Sequence, residues 1–200
     1  VLEGIRSRSG GQATTGKAVE RTLEAEQEET AHIRELLQAL GISRAVVDEG
    51  MRRLYRSLTA MGGHEAALLA AREVAASGRA HSLDNVAALL EAWNAKGLTT
   101  AEAIEAHLAQ VRALNRRIRD LMDLCGHRGG CTQANRELLT TWETQWNMPA
   151  ALVDLAAEFA RGVDKPMPYM NRLLEGWRKS GALTVEAARA EHERFQSSQK

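Results

Sequence analysis

"PYMNRLLEGWRKSGALTVEAA", Pro168 to Ala188, repeats the frame of "DNVAALLEAWNAKGLTTAEAI", Asp84 to Ile104, at a distance of 84 residues. In the first copy the shared positions are Leu89, Leu90, Glu91, Trp93, Gly97, Thr100, Glu102 and Ala103. In the second they are Leu173, Leu174, Glu175, Trp177, Gly181, Thr184, Glu186 and Ala187. A frame shared at this length predicts a duplication. The expected architecture is all-α: two tandem helical repeats, 18–110 and 111–195, joined by a long shared helix. Residues 1–17, rich in Gly, Ser and Thr, read as a linker or tail, and 196–200 as a second tail.

The spacing of apolar residues supports helices from about Ala18 onward, with no alternating strand pattern. Ile33, Leu36, Leu37 and Leu40 form one face of a helix over about 18–40, and Gly41 suits its left-handed C-cap. Further helices are expected over about 44–61, 64–77 and 82–96, stopped by Gly62, Gly78 and Gly97. Thr99 and Glu102 have capping-box spacing for a fifth helix. That helix meets no stop before Gly126, and within it "IRDLMDLCG" (118–126) echoes "IRELLQALG" (33–41). In the second repeat Thr132 is a candidate N-cap, and Leu138, Leu139, Trp142 and Trp146 a core stripe. Pro149 is placed in a helix's first turn. "VDKPMP" reads as a loop before a helix from Tyr169 to Ser180, and Thr184 caps the last helix.

Composition narrows the function classes. The chain has 200 residues, 44% hydrophobic and 26% charged, with three prolines, which fits a soluble helical protein. No apolar run approaches the ~18 residues of a membrane span, so no membrane partner is expected. Two cysteines suit a reducing cytoplasm rather than a disulfide framework. The start at Val1 without Met suggests a fragment of something longer. Net charge is zero, yet residues 1–110 carry 12 basic and 15 acidic side chains, and 111–200 carry 14 and 11. Any polyanion contact is therefore expected on the second half.

The second copy runs as a helix, then a Tyr-x-x-x-aliphatic-x-x-x-Trp helix, a Gly turn and a Thr-x-Glu-Ala helix. This order resembles the C-terminal domain of the DnaD/DnaB-type bacterial and phage primosome proteins. It rests on Tyr169, Leu173 and Trp177, with Asn171, Leu174, Gly181 and Thr184 around them, and extends upstream through Trp142, Leu152 and "AAEFARG", covering roughly 130–190. The first copy departs from it, with Asn85 where Tyr169 stands, and the family's N-terminal winged-helix domain is not visible. The resemblance implies a non-enzymatic replication-initiation factor that binds DNA and aids loading of the replicative helicase. Its implied partners are DNA, single- or double-stranded, and replication initiator and helicase-loading proteins, with a homo-oligomer left open. No cofactor is implied, and a cytoplasmic, nucleoid-associated location follows.

By the same resemblance the site falls on Tyr169, Leu173 and Trp177. On physical grounds Leu173 and Trp177 read first as a core stripe, whereas Tyr169 is placed to keep its hydroxyl in solvent and its ring open to stacking on an unpaired base. Lys165, Arg172, Arg178 and Lys179, with Arg161, are candidate phosphate contacts; the bland reading is a solvated helix face. Arg112, Arg116, Arg117 and Arg119 form a weaker second group. A purely protein-binding helical adaptor is the competing reading.

Other chemistry has little support. "CGHRGGC" (125–131) offers Cys125, His127 and Cys131, one ligand short of a structural zinc site and at an unusual spacing. There is no G-x-x-x-x-G-K-[ST] and no H-E-x-x-H, since the stretch around His64 lacks the second His. The carboxylates Glu20, Glu24, Glu26, Glu28 and Glu29 read as the solvated face of a terminal helix.

Overall fold

Periodic apolar stripes close into helices along the chain. A computed structural model describes residues 10–43, 45–78 and 80–197, with side chains from Gly16 onward. Among these residues there are nine α-helices and no strand, so the fold is all-α. They are α1 (Gly10–Ala39), α2 (Glu49–Ala60), α3 (Gly63–Ala76), α4 (Leu83–Asn94) and α5 (Ala101–Leu124), then α6 (Gln133–Thr140), α7 (Ala150–Phe159), α8 (Pro166–Ser180) and α9 (Val185–Ser197). A π-helical turn, Thr141–Gln145, continues α6. The chain divides within α5, between His107 and Leu108, into two compact units.

The first unit is built around α3, which packs against α1, α2 and α4. Its Ala66, Ala67, Ala70 and Ala71 are fully buried, and side chains this small let three neighbours approach one helix. The stripe Ile33, Leu36, Leu37 and Leu40 is buried as its spacing predicts, and so are Leu58, Leu90, Trp93 and Ile104. A polar cluster ties α1, α2 and α3 together. The Tyr55 hydroxyl meets His64 Nδ1 at 3.0 Å, His64 Nε2 lies 3.2 Å from Glu35, and His32 stacks on His64. Glu29 accepts from both Arg52 and Arg56, and the Arg56 guanidinium holds its carboxyl below the usual carboxylate range.

In the second unit Ile118, Leu121 and Met122 of α5 join Leu139, Trp142, Leu152, Leu155, Met170, Leu174 and Trp177 in one core. The π turn widens the backbone just where Trp142 enters it. Trp146 N–H donates to Thr141 O and Met148 N–H to Trp142 O, and Asn147 takes the left-handed conformation at φ 50°. Asparagine tolerates that region better than most side chains.

Several element ends differ from the sequence reading. The helix expected from Ala18 begins at Gly10, inside the stretch read as a linker; residues 1–9 lie outside the described residues. Its described side chains up to Glu28 are exposed, and a helix segment that packs on nothing needs no apolar stripe. The second helix starts at Glu49 rather than about 44, because the Asp48 carboxylate caps it by accepting from Met51 N–H. The hydroxyl that caps α5 belongs to Thr100, not Thr99, and accepts from Ala103 N–H. Pro149 is the residue before α7 rather than inside its first turn. Pro166, Met167 and Pro168, read as loop, form the first turn of α8, where a missing N–H costs nothing. At the other end, Gln196 and Ser197 of the expected tail still belong to α9. Thr132 and Thr184 cap their helices as expected. Of the stripe read for α6, Leu139 and Trp142 are buried, whereas Leu138 and Trp146 are half-buried.

Trp93 and Trp177 are 4% and 2% exposed. Trp93→Ala and Trp177→Ala should each destabilise their own unit by ~3–5 kcal/mol through the cavity left behind; denaturant melts would measure it, and a parent-like midpoint would contradict their core roles. Acid should weaken the first unit through Glu29. Its depressed carboxyl contributes stability above the unfolded value of ~4.3, and that contribution is lost as pH falls through the folded value. Glu29→Gln should therefore show a shallower fall in melting temperature below about pH 4 than the parent.

Candidate functional site

The motif helix α8 presents three faces. Positions separated by three, four or seven residues share a face of a helix, so Met167, Met170, Leu174 and Trp177 point into the core, where all are buried. Asn171 and Arg178 face the α6 side. There the buried Trp142 indole N–H donates to Asn171 Oδ1 at 2.8 Å, and Arg178 lies over the Trp146 ring, 5.1 Å from its centroid. Tyr169, Leu173 and Gly176 face α9.

Between α8 and α9 runs a groove of about 470 Å³, lined by Tyr169, Arg172, Leu173, Gly176 and Trp177 on one side and Glu191, His192 and Phe195 on the other. The lining is mostly apolar. Tyr169 and Leu173 are half-buried, Trp177 forms the floor, and Phe195 is 61% exposed. His192 is held by stacking on Phe159, with centroids 4.0 Å apart, and by Gln196 Nε2 at 2.9 Å. The Arg172 guanidinium sits 5.8 Å above the Tyr169 ring centroid, a cation–π arrangement that keeps the charge at the rim. On the α9 wall, Glu191 accepts from the Ser180 hydroxyl.

Four of the residues singled out by sequence, Tyr169, Arg172, Leu173 and Trp177, thus line one groove. Lys165 precedes α8 as an exposed side chain. The remaining two lie elsewhere: Arg178 covers Trp146, and Lys179 pairs with Glu175 at 2.6 Å. The Lys179 ammonium holds the Glu175 carboxyl below its ordinary range. In the second basic group Arg117 is taken up by Glu143 and Asp154. Glu191, His192 and Phe195 were not read as site residues. Ala188, His192 and Phe195 do have i, i+4, i+7 spacing, but a short polar helix gives no reason to expect an open wall there.

The helix that carries the first copy of the sequence frame, α4, has asparagine at the position of Tyr169 in that frame. Asn85 instead closes the turn before α4, its Nδ2 donating to Ala80 O at 2.8 Å and its N–H to the Ser82 hydroxyl. Cys125 is buried in the second core, 4.0 Å from Met170 Sδ, and burial pushes its thiol up. Cys131 points to Asn115 O instead. No three His, Cys, Asp or Glu side chains converge as metal ligands among the described residues. Nor is any helix of the described residues long and apolar enough to cross a membrane.

Residues 128–192 match a family model described as replication initiation and membrane attachment, a DnaD-type domain. The matched segment lies wholly within the second unit and contains the α8 face and all of the groove except Phe195. No curated protein and no solved structure matches the chain.

The Trp142–Asn171 bond should be measurable. Asn171→Ala leaves a buried indole N–H without its acceptor and should cost about 1–3 kcal/mol. Trp142→Phe in the Asn171→Ala background should cost less than the two changes added separately, and strict additivity in denaturant melts would mean the bond is not coupled.

Proposed function

We propose that this chain, whose second unit carries a DnaD-type replication-initiation domain, is a non-enzymatic accessory that contacts DNA through the α8 face and aids loading of the replicative helicase. The observation that carries the reading is the convergence of Tyr169, Arg172 and Leu173 on one open groove with Lys165 at the head of the same helix. A half-exposed aromatic ring beside a guanidinium that forms no ion pair among the described residues supplies the two parts of single-strand affinity, stacking on a base and contact with a phosphate. Arg178 and Lys179, engaged by Trp146 and Glu175, contribute less direct contact.

We also infer that the two units are copies of one domain. The supporting observations are local. Asp48 and Thr132 cap α2 and α6, and Thr100 and Thr184 cap the helices after each Trp helix, all through side-chain oxygens. Gly97 and Gly181 both take left-handed conformations, at φ 78° and 77°. In this reading the first copy has given up the site, with Asn85 serving as a turn closure where Tyr169 lines the groove.

A purely protein-binding adaptor is favoured by one feature, the apolar lining of the groove. Titration of single- and double-stranded DNA at two salt concentrations separates the readings. Affinity should fall with salt by an exponent near ~0.7 per phosphate contact on single strands, and Arg172→Ala should lower that exponent by roughly one contact's share. Tyr169→Ala should weaken single-strand binding by about 1–3 kcal/mol, and Asn85→Ala should leave it unchanged. A folded chain without salt-sensitive binding, or equal losses from Asn85→Ala and Tyr169→Ala, would refute the DNA reading.

A further inference from the structure

The groove between α8 and α9 carries both signs of charge. Arg172 stands on the α8 wall and Glu191 on the α9 wall, and neither forms an ion pair, with the other or with any side chain, among the described residues. A strand held at Tyr169 and Arg172 would therefore also meet a carboxylate, which repels phosphate. The half-buried Glu191 suits a different task. Its Oε2 accepts from the hydroxyl of Ser180, the last residue of α8, which orients the carboxylate on the wall and leaves Oε1 and a second Oε2 lone pair to a ligand. His192, the neighbouring titratable group of the lining, is engaged by Phe159 and Gln196. Gly176 keeps the space between the walls open, since even a Cβ there would meet nothing within 4 Å.

An ionised carboxylate only accepts hydrogen bonds, so it tells bases apart by the donors on their pairing edges. Guanine presents two adjacent donors there, N1–H and the N2 amino group, and a carboxylate can take both, as it takes the paired donors of a guanidinium. Cytosine and adenine present one amino group beside a ring nitrogen that is itself an acceptor. Thymine presents a single N–H between two carbonyls, whose oxygens repel the carboxylate. In a duplex these donors are engaged by the opposite base, so only an unpaired base offers them.

We propose that the α8–α9 groove takes up one unpaired base of a DNA strand and that Glu191 sets a preference for guanine there. The base lies against Tyr169 and Leu173, its sugar and phosphate stay at the rim beside Arg172, and its donor edge faces Glu191 across the groove. This rests on the proposed DNA contact and adds a sequence preference to it. Stacking on Tyr169 serves every base alike, because every base has a π-face. Glu191, on the opposite helix and outside the Tyr-Leu-Trp spacing, supplies the discrimination.

Fluorescence anisotropy of the full chain tests this with a thymidine oligonucleotide and the same strand carrying isolated guanines. A third strand has hypoxanthine at those positions, a purine of the same shape that keeps N1–H and lacks the amino group. The guanine strand should bind about tenfold tighter than the thymidine strand, and hypoxanthine should lose most of that gain. Glu191→Gln, with helical content checked by circular dichroism, should bring the guanine and thymidine strands within about twofold of each other. Arg172→Ala should weaken both strands and keep their ratio. The hypoxanthine comparison uses the parent chain and does not depend on how a variant folds. A parent that binds all three strands equally overturns the inference and leaves the DNA reading standing. A folded Glu191→Gln chain that keeps the guanine preference overturns it too. Absence of binding to any strand refutes the DNA reading, and this inference with it.

Discussion

In the second unit one hydrogen bond from a buried donor orients the motif helix. Trp142 is fully buried, and its indole N–H, which can only donate, has Asn171 Oδ1 as its partner at 2.8 Å. A buried donor left unpaired is costly, so the bond constrains the rotation of α8 about its own axis. With Asn171 turned toward α6, helical spacing sends Met170, Leu174 and Trp177 into the core and leaves Tyr169 and Leu173 on the far side, facing α9. A rotation by one residue would bury Arg172 or expose Trp177. The π turn serves the same end, since widening the backbone at Thr141–Gln145 accommodates Trp142 while Trp146 is set outside the core under Arg178.

The groove follows from a mismatch between the neighbours of α8. On the core side α7 supplies Leu152, Leu155 and Ala156, a dense apolar surface. On the other side α9 supplies Ala188 and His192 as its buried residues, and small or polar side chains do not fill the space beside Leu173. His192 is oriented by Phe159 and Gln196, so the gap persists in a well-held frame. A pocket formed by under-filling between fixed helices is largely pre-organised, which lowers the entropy cost of binding whatever enters it.

The two units solve the same problem of joining helices with different polar chemistry. In the first, His32, Tyr55, His64 and Glu35 form a cluster across α1, α2 and α3, beside the Glu29 pairs with Arg52 and Arg56. In the second, Arg117 spans Glu143 and Asp154, and Trp142 meets Asn171. Partly exposed charge networks of this kind add modest stability and mainly select one packing arrangement over others. Arg172 and Lys165, which form no ion pair among the described residues, belong to the unit that holds the segment matched by the family model.

Helix class, most helix stops and the core stripes were legible in the sequence, because burial imposes a 3.6-residue period and positive-φ turns favour glycine, as at Gly41, Gly97, Gly126 and Gly181. That Tyr169, Leu173 and Trp177 follow one another at helical spacing was legible too, and so was the likeness of their segment to a known family. Tertiary structure alone decided the rest. The exposed part of α1 back to Gly10 has no stripe to read, and whether Thr99 or Thr100 caps α5 depends on where the chain turns. The π turn at Thr141 arises from the burial of Trp142. Which cations stay unpaired could not be read from composition: Arg178 found Trp146, Lys179 found Glu175 and Arg117 found two carboxylates, whereas Arg172 stayed at the rim of the groove. A linear sequence specifies which side chains share a helix face through local geometry, but whether a charge is neutralised or a surface covered depends on neighbours that only packing brings within reach.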